Sequence, residues 1–75
     1  MDFVLVRKQR VIRLIQVSYD ISNDKTRQRE ISALIKASSQ LSCDNLVLIN
    51  LTENSMHEQN GKRIQIRSII NFLLG

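Results

Sequence analysis

The chain contains no proline and no tryptophan, and its only glycines are Gly61 and Gly75. With so few chain breakers, compact elements joined by short connectors are expected. Cys43 is the sole cysteine, which excludes an intrachain disulfide and any zinc site built from several thiolates. A single thiol suits a reducing, cytoplasmic compartment. No histidine or basic run lies beside it in the sequence, so it reads as a buried, inert thiol. The one histidine, His57, falls in a polar stretch and reads as a surface residue in a loop or turn. Phe3, Tyr19 and Phe72 are the only aromatics, too scattered to form base-stacking platforms; Phe3 and Phe72 read as core. No segment approaches the roughly 20 apolar residues of a membrane span, so no membrane partner is expected. Met1-Asp2-Phe3-Val4 lacks the basic region and apolar core of a signal peptide. Neither a GxxxxGK[ST] phosphate loop nor a GxGxxG is present, which excludes nucleotide binding by those motifs.

What is present fits one soluble domain spanning 1–75. Apolar residues make up 43% and charged residues 24%, ordinary values that argue against disorder. A chain this short buries only about 60% of its unfolded surface, so self-association is expected to add stability. The net charge is +4. The basic residues are dispersed over Arg7, Lys8 and Arg10, then Lys25, Arg27, Arg29 and Lys36, then Lys62, Arg63 and Arg67. Dispersal reads first as solvated surface. It leaves room for weak nucleic-acid contact, for which Lys25, Arg27 and Arg29 are the candidates.

Residues 2–7 are apolar on both faces and read as a buried strand. Such a strand needs neighbours, which suggests that the chain begins inside a longer domain. Residues 11–18 form a second strand. A three-residue loop, Lys8-Gln9-Arg10, would pair Arg7 with Val11 and Asp2 with Gln16. One face would then carry Asp2, Val4, Val6, Ile12, Leu14, Gln16 and Ser18. Ser22, Asn23 and Asp24 are capping residues ahead of a helix over about 24–40. Its inner face is marked by Ile31, Leu34, Ile35, Ser38 and Leu41, and Lys25, Gln28, Arg29 and Lys36 fall largely outside. The helix should cross to a parallel, almost wholly apolar strand over 45–51. Asn60-Gly61 signals a type I′ turn between strands near 56–59 and 62–67, and Ser68 caps a final short helix. The expected fold is α/β: a small open mixed sheet with an N-terminal hairpin, a crossover helix, a parallel strand, a short hairpin and a C-terminal helix.

One constellation suggests chemistry. In that register Asp2 would lie across from Gln16, with Ser18 two residues further along the second strand. An acid on one strand beside a carboxylate-x-lysine pair on the next is how a metal-dependent phosphodiesterase site is assembled. Here an amide and a hydroxyl replace the second acid and the lysine. Asp2 remains the one metal-ligand candidate; Asp20 and Glu30 would substitute only if the fold brought them close, which nothing in the sequence shows. The plainer reading is that Asp2 caps its strand while Gln16 and Ser18 bond locally.

Asp2-Phe3-Val4, Leu14-Ile15-Gln16-Val17-Ser18-Tyr19-Asp20 and Thr26-Arg27-Gln28-Arg29-Glu30-Ile31 together resemble the C-terminal domain of a group of bacterial and archaeal AAA-type ATPases. That domain is similar to the PD-(D/E)xK restriction-endonuclease-like fold. The resemblance covers nearly the whole chain. It implies a nuclease-like core lacking its first helix, with ATP bound only by a module further upstream. Asp2 falls on the family's strand aspartate, Gln16 where active nucleases keep Glu or Asp, and Ser18 where they keep Lys. The site therefore looks degenerate. The function it implies is a non-catalytic module that contacts nucleic acid or protein and carries no cofactor of its own. The alternative is a metal-dependent DNA nuclease with a rearranged site.

Overall fold

The computed structural model describes residues 3–75, Phe3 by its backbone alone. The described chain is α/β, with β1 (Phe3–Arg7), β2 (Arg10–Val17), α1 (Asp24–Leu41), β3 (Leu46–Asn50), β4 (Ser55–Gln59), β5 (Lys62–Ser68) and α2 (Ile69–Leu74) in chain order. The strands form one five-stranded sheet in the order β1-β2-β3-β5-β4. β2, β3 and β5 run parallel, and the edge strands β1 and β4 run antiparallel to their neighbours. This is the open mixed sheet with crossover helix that the sequence pattern anticipates.

β3 is central because its five residues, Leu-Val-Leu-Ile-Asn, can all be buried, and all are. Its alternating side chains feed two cores. Leu46 and Leu48 join Leu14, Ile31, Leu34 and Ile64 beneath α1. Val47 and Ile49 pack with Ile15 on the opposite face, where Ile69 and Phe72 of α2 cover them. The helices thus lie on opposite faces of the sheet. α1 starts where Asn23 Oδ1 accepts from the backbone N–H groups of Lys25 and Thr26. It stops at Ser42, which adopts the left-handed conformation at φ 53°, while Cys43 N–H closes on Ser38 O at 3.2 Å. Cys43 is buried, as expected.

Several expectations are corrected. The N-terminal hairpin has a two-residue turn, Lys8-Gln9, with Arg7 opposite Arg10. Both turn residues have positive φ, 52° and 63°, the type I′ geometry that matches strand twist. A bulge then shifts the register: Val6 pairs with Val11, yet Leu5 pairs with Arg13 and Phe3 with Ile15. Ile12 is the extra residue, and Val11 takes its place against the core under α1. Second, β1 is an edge strand with Val4, Leu5 and Val6 exposed, not a buried strand. Third, His57 belongs to β4 and is half-buried, and Leu41 is exposed rather than on the inner face of α1.

Candidate functional site

In an open α/β sheet, ligand-binding residues gather beyond the carboxyl ends of the parallel strands. Here the chain leaves β2 toward α1 on one face and β5 toward α2 on the other, with the end of β3 between them. This edge collects Gln16 and Ser18, Asn50, the first turns of α1, and the loop containing Glu53 and Asn54.

Asn50 organises the edge. It is 3% exposed, and all its polar atoms are used. Nδ2 donates to Glu53 O at 3.0 Å and Arg67 O at 3.1 Å, and Oδ1 accepts from Thr52 N and Glu53 N at 3.1 and 2.7 Å. Asn54 Oδ1 accepts from Ser68 N at 3.0 Å. These bonds present the Glu53 carboxylate to α1. There the Arg27 guanidinium donates from Nη1 to Oε1 at 2.7 Å and from Nη2 to Oε2 at 2.6 Å, and Ser55 Oγ donates to Oε2 at 2.6 Å. The Arg27 hydrogen bonds, followed by that from Ser55, hold the Glu53 carboxyl at a pKa of about 2. The same bonds raise that of Arg27.

Beside this pair, Gln16 Nε2 donates to Glu30 Oε2 at 2.6 Å. The acceptor is a carboxylate, so the amide nitrogen must face it. Gln16 Oε1 is consequently left buried with no partner. Glu30, whose side chain is 13% exposed, lies on the buried flank of α1, one turn from Arg27. Asp20 serves another purpose: its Oδ1 accepts from Ser22 Oγ and Ser22 N at 2.6 and 2.9 Å, and these bonds lower its pKa.

The residues singled out from sequence are only partly brought together. Asp2 lies outside the described residues. The Phe3–Ile15 pairing continues the register that the sequence suggests on its side of the bulge. Gln16 is at the site, and its partner is Glu30 across the sheet–helix interface. Ser18 N donates to Ile49 O at 2.9 Å, linking β2 to β3. Of the basic candidates, Arg27 is committed to Glu53, Lys25 is exposed, and Arg29 is largely exposed with a loose contact to Glu30 at 3.5 Å. Asn50 and Glu53 were not signalled, because neither lies in a motif and their roles depend on a loop folding back over the strand end.

The resemblance implies a divalent cation, and the donor set can be tested against it. Gln16 Oε1 is an oxygen without a donor, suited in type to a hard cation, and Glu30 supplies a carboxylate. A cation of that kind takes six or more oxygens, with charge from carboxylates. Among the described residues no group of three or more His, Cys, Asp or Glu side chains is assembled, and Glu53 is neutralised by Arg27. The described residues therefore do not fit a complete metal centre.

Elsewhere, Lys62 Nζ donates to Ser38 Oγ at 2.8 Å and Asp44 Oδ1 at 3.0 Å, at the opposite end of the sheet. Ser38 is 1% exposed, so this contact fastens the end of α1 to β5 and offers no accessible nucleophile. An apolar cleft of about 390 Å³ lies on the α2 face, lined by Leu5, Ile15, Val17, Ile49, Phe72 and Leu73, among others. Among the described residues no helix is long and apolar enough to cross a membrane. The chain matches no family model, no curated protein and no solved structure.

Proposed function

We propose that the chain is a non-catalytic module, the C-terminal part of an AAA-type ATPase, whose nuclease-like fold with a degenerate site serves as a contact surface for protein or nucleic acid in the cytoplasm. The observation that carries this reading is the Gln16–Glu30 hydrogen bond. At the strand position where an active enzyme of the resembled family keeps an acid, this chain has an amide that fastens β2 to α1. Glu53 likewise spends its charge on Arg27. Ser18 cannot replace a lysine beside an attacking water. Nucleic-acid contact would draw on exposed Lys25 and Arg29, with Arg27 withdrawn into its ion pair, and would weaken steeply with salt.

The alternative reading, a metal-dependent DNA nuclease with a rearranged site, is favoured by one detail: α1 delivers Glu30 to Gln16, whose carbonyl oxygen has no partner. A cleavage assay on DNA and RNA with magnesium or manganese separates the two. No cleavage is expected. Cleavage that disappears in both Asp2→Ala and Glu30→Ala would establish the nuclease and reject the contact module.

A further inference from the structure

β1 and β4 are the two edges of the sheet, and they differ in kind. β4, Ser-Met-His-Glu-Gln, is polar at four of its five positions, and Glu58 is held by Arg63 at 2.8 Å. Charge and polarity are the usual means of blunting an edge. β1 lacks this protection. Val4, Leu5 and Val6 are 40, 42 and 61% exposed. Only β2 pairs with it among the described strands, so one row of its backbone groups faces outward. Leu5 also borders the apolar cleft on the α2 face.

We infer that β1 is a self-pairing edge, and that two copies of this chain join antiparallel about a two-fold axis at Leu5 into one continuous ten-stranded sheet. The charge pattern selects the orientation. Arg7, Lys8 and Arg10 all lie at one end of the strand. Parallel, in-register pairing would stack these charges on one another, whereas antiparallel pairing sends them to opposite ends. The apolar pattern selects the register. With the axis at Leu5, Leu5 meets Leu5, and each Val4 meets the partner's Val6. Moving the axis to Val6 would set Leu5 against Arg7 and Val4 against Lys8. Moving it to Val4 would set the apolar Val6 against an acidic position, residue 2 of the partner. The closed two-fold pair also ends the assembly, since the remaining edge on each side is the blunted β4. This inference deepens the contact-surface reading by naming its occupant, a second copy, and its place.

The test is site-directed crosslinking in a Cys43→Ala background. Residues on a two-fold axis of an antiparallel pair lie about 4.5–5.5 Å apart at Cα, within disulfide range. Leu5→Cys should therefore oxidise to a covalent dimer, and Arg7→Cys should not. In the unmodified chain, sedimentation should show a dimer in the micromolar range that Leu5→Lys converts to monomer; position 5 is exposed, so folding should survive. Crosslinking at both positions would mean parallel pairing and would overturn the inference. So would a monomer at all concentrations, or a dimer that survives Leu5→Lys. The last outcome would leave the contact-module reading standing with a different surface, whereas metal-dependent cleavage would remove that reading and leave β1 pairing untouched.

Discussion

Gln16 on β2 and Glu30 on α1 meet through a single hydrogen bond of 2.6 Å, Nε2 to Oε2. The bond satisfies one end of each group and leaves Gln16 Oε1 buried with no donor. A buried carbonyl in that state has lost its hydration without replacement. The site tolerates this because the alternative, the amide oxygen turned against the Glu30 carboxylate with only the loose Arg29 contact left to it, would be costlier.

Converting the amide to an acid tests this balance. Gln16→Glu places a second carboxylate within hydrogen-bond distance of Glu30. Like charges at that separation cannot both ionise without cost, so the variant should lose about 1–3 kcal/mol at neutral pH. The loss should shrink as the pH falls and one carboxyl binds a proton. Manganese should restore part of it, since a cation shared by two carboxylates offsets their mutual repulsion. Thermal melts at pH 5 and 7.5, with and without manganese, check both points. An unchanged melting temperature at neutral pH would contradict the proximity argument.

The Arg27–Glu53 pair makes a pH prediction. The folded-state pKa of Glu53, about 2, lies below its ordinary value of 4.5. A depressed acid contributes stability that is fully present above its unfolded pKa and lost as pH falls through its folded one. Stability should thus be level above about pH 5 and decline between about 4.5 and 2. Asp44, lowered by its hydrogen bond from Lys62, shifts in the same direction. The Arg27 and Glu53 side chains are 26% and 35% exposed, so solvent screening limits the pair to about 1 kcal/mol. A double-mutant cycle with Arg27→Ala and Glu53→Gln should recover a coupling of that size, and Glu53→Gln should flatten the acid limb of urea denaturation.

Asn50→Ala should be far more damaging. It removes four hydrogen bonds and leaves Thr52 N, Glu53 N, Glu53 O and Arg67 O without this partner at a buried strand end. Two or three such losses amount to about 2–4 kcal/mol. For a domain this small, each kcal/mol is worth about 4–8 °C in melting temperature. Asn50→Asp keeps the acceptor but turns an anionic oxygen toward Glu53 O and Arg67 O at a buried position, so at neutral pH it should be at least as damaging as Asn50→Ala. Equal melting temperatures for wild type and Asn50→Ala would show that the loop holds itself.

The N-terminal hairpin shows where the sequence was readable and where it was not. The apolar, β-branched runs over 2–7 and 11–18 locate both strands, and Asn60-Gly61 locates the second hairpin, with φ 54° and 74° at the turn. Lys8-Gln9 makes the same kind of turn with neither asparagine nor glycine, so the polar stretch marks a turn there but not its two-residue type I′ form. Ile12 bulges without a glycine to announce it. β1 reads as buried but lies exposed at the edge, because an apolar strand looks alike in both places and only its neighbours differ. At the candidate site, the sequence pattern singles out Gln16 as a position but not its contacts. Its pairing with Glu30 depends on where α1 docks, and the roles of Asn50 and Glu53 depend on a long-range fold-back, which local pattern does not encode.

That turn carries its own test. Two residues with side chains held in the left-handed region cost roughly 1–2 kcal/mol each. Gln9→Gly removes the steric part at the second position, where φ is 63°. It should stabilise the chain by about 1 kcal/mol, raising the urea midpoint without changing the slope. A destabilised variant would mean that the Gln9 side chain contributes contacts worth more than the strain.

α2 is held by packing rather than by its own turns. Six residues, Ile69–Leu74, cannot sustain a helix alone, because nucleation outweighs the few bonds gained. Ser68 Oγ caps it by accepting from Asn71 N at 3.2 Å, and Arg67 Nη2 donates to Asn71 Oδ1 at 2.7 Å. Neither bond replaces packing. Ile69 and Phe72 supply that, against Ile15, Val47 and Ile49, whereas Leu74 is 84% exposed. Phe72→Ala should therefore cost about 2 kcal/mol, less than a fully buried aromatic because the ring is only half-buried. Leu74→Ser should change stability by less than about 0.5 kcal/mol. The discriminating measurement is amide exchange in Phe72→Ala. Protection should vanish from α2 and fall at Val47 and Ile49, while the α1 side, built on Leu34 and Leu48, keeps its slow amides. Uniform loss of protection in both layers would show that the two cores unfold as one unit and that α2 is not a separable cover.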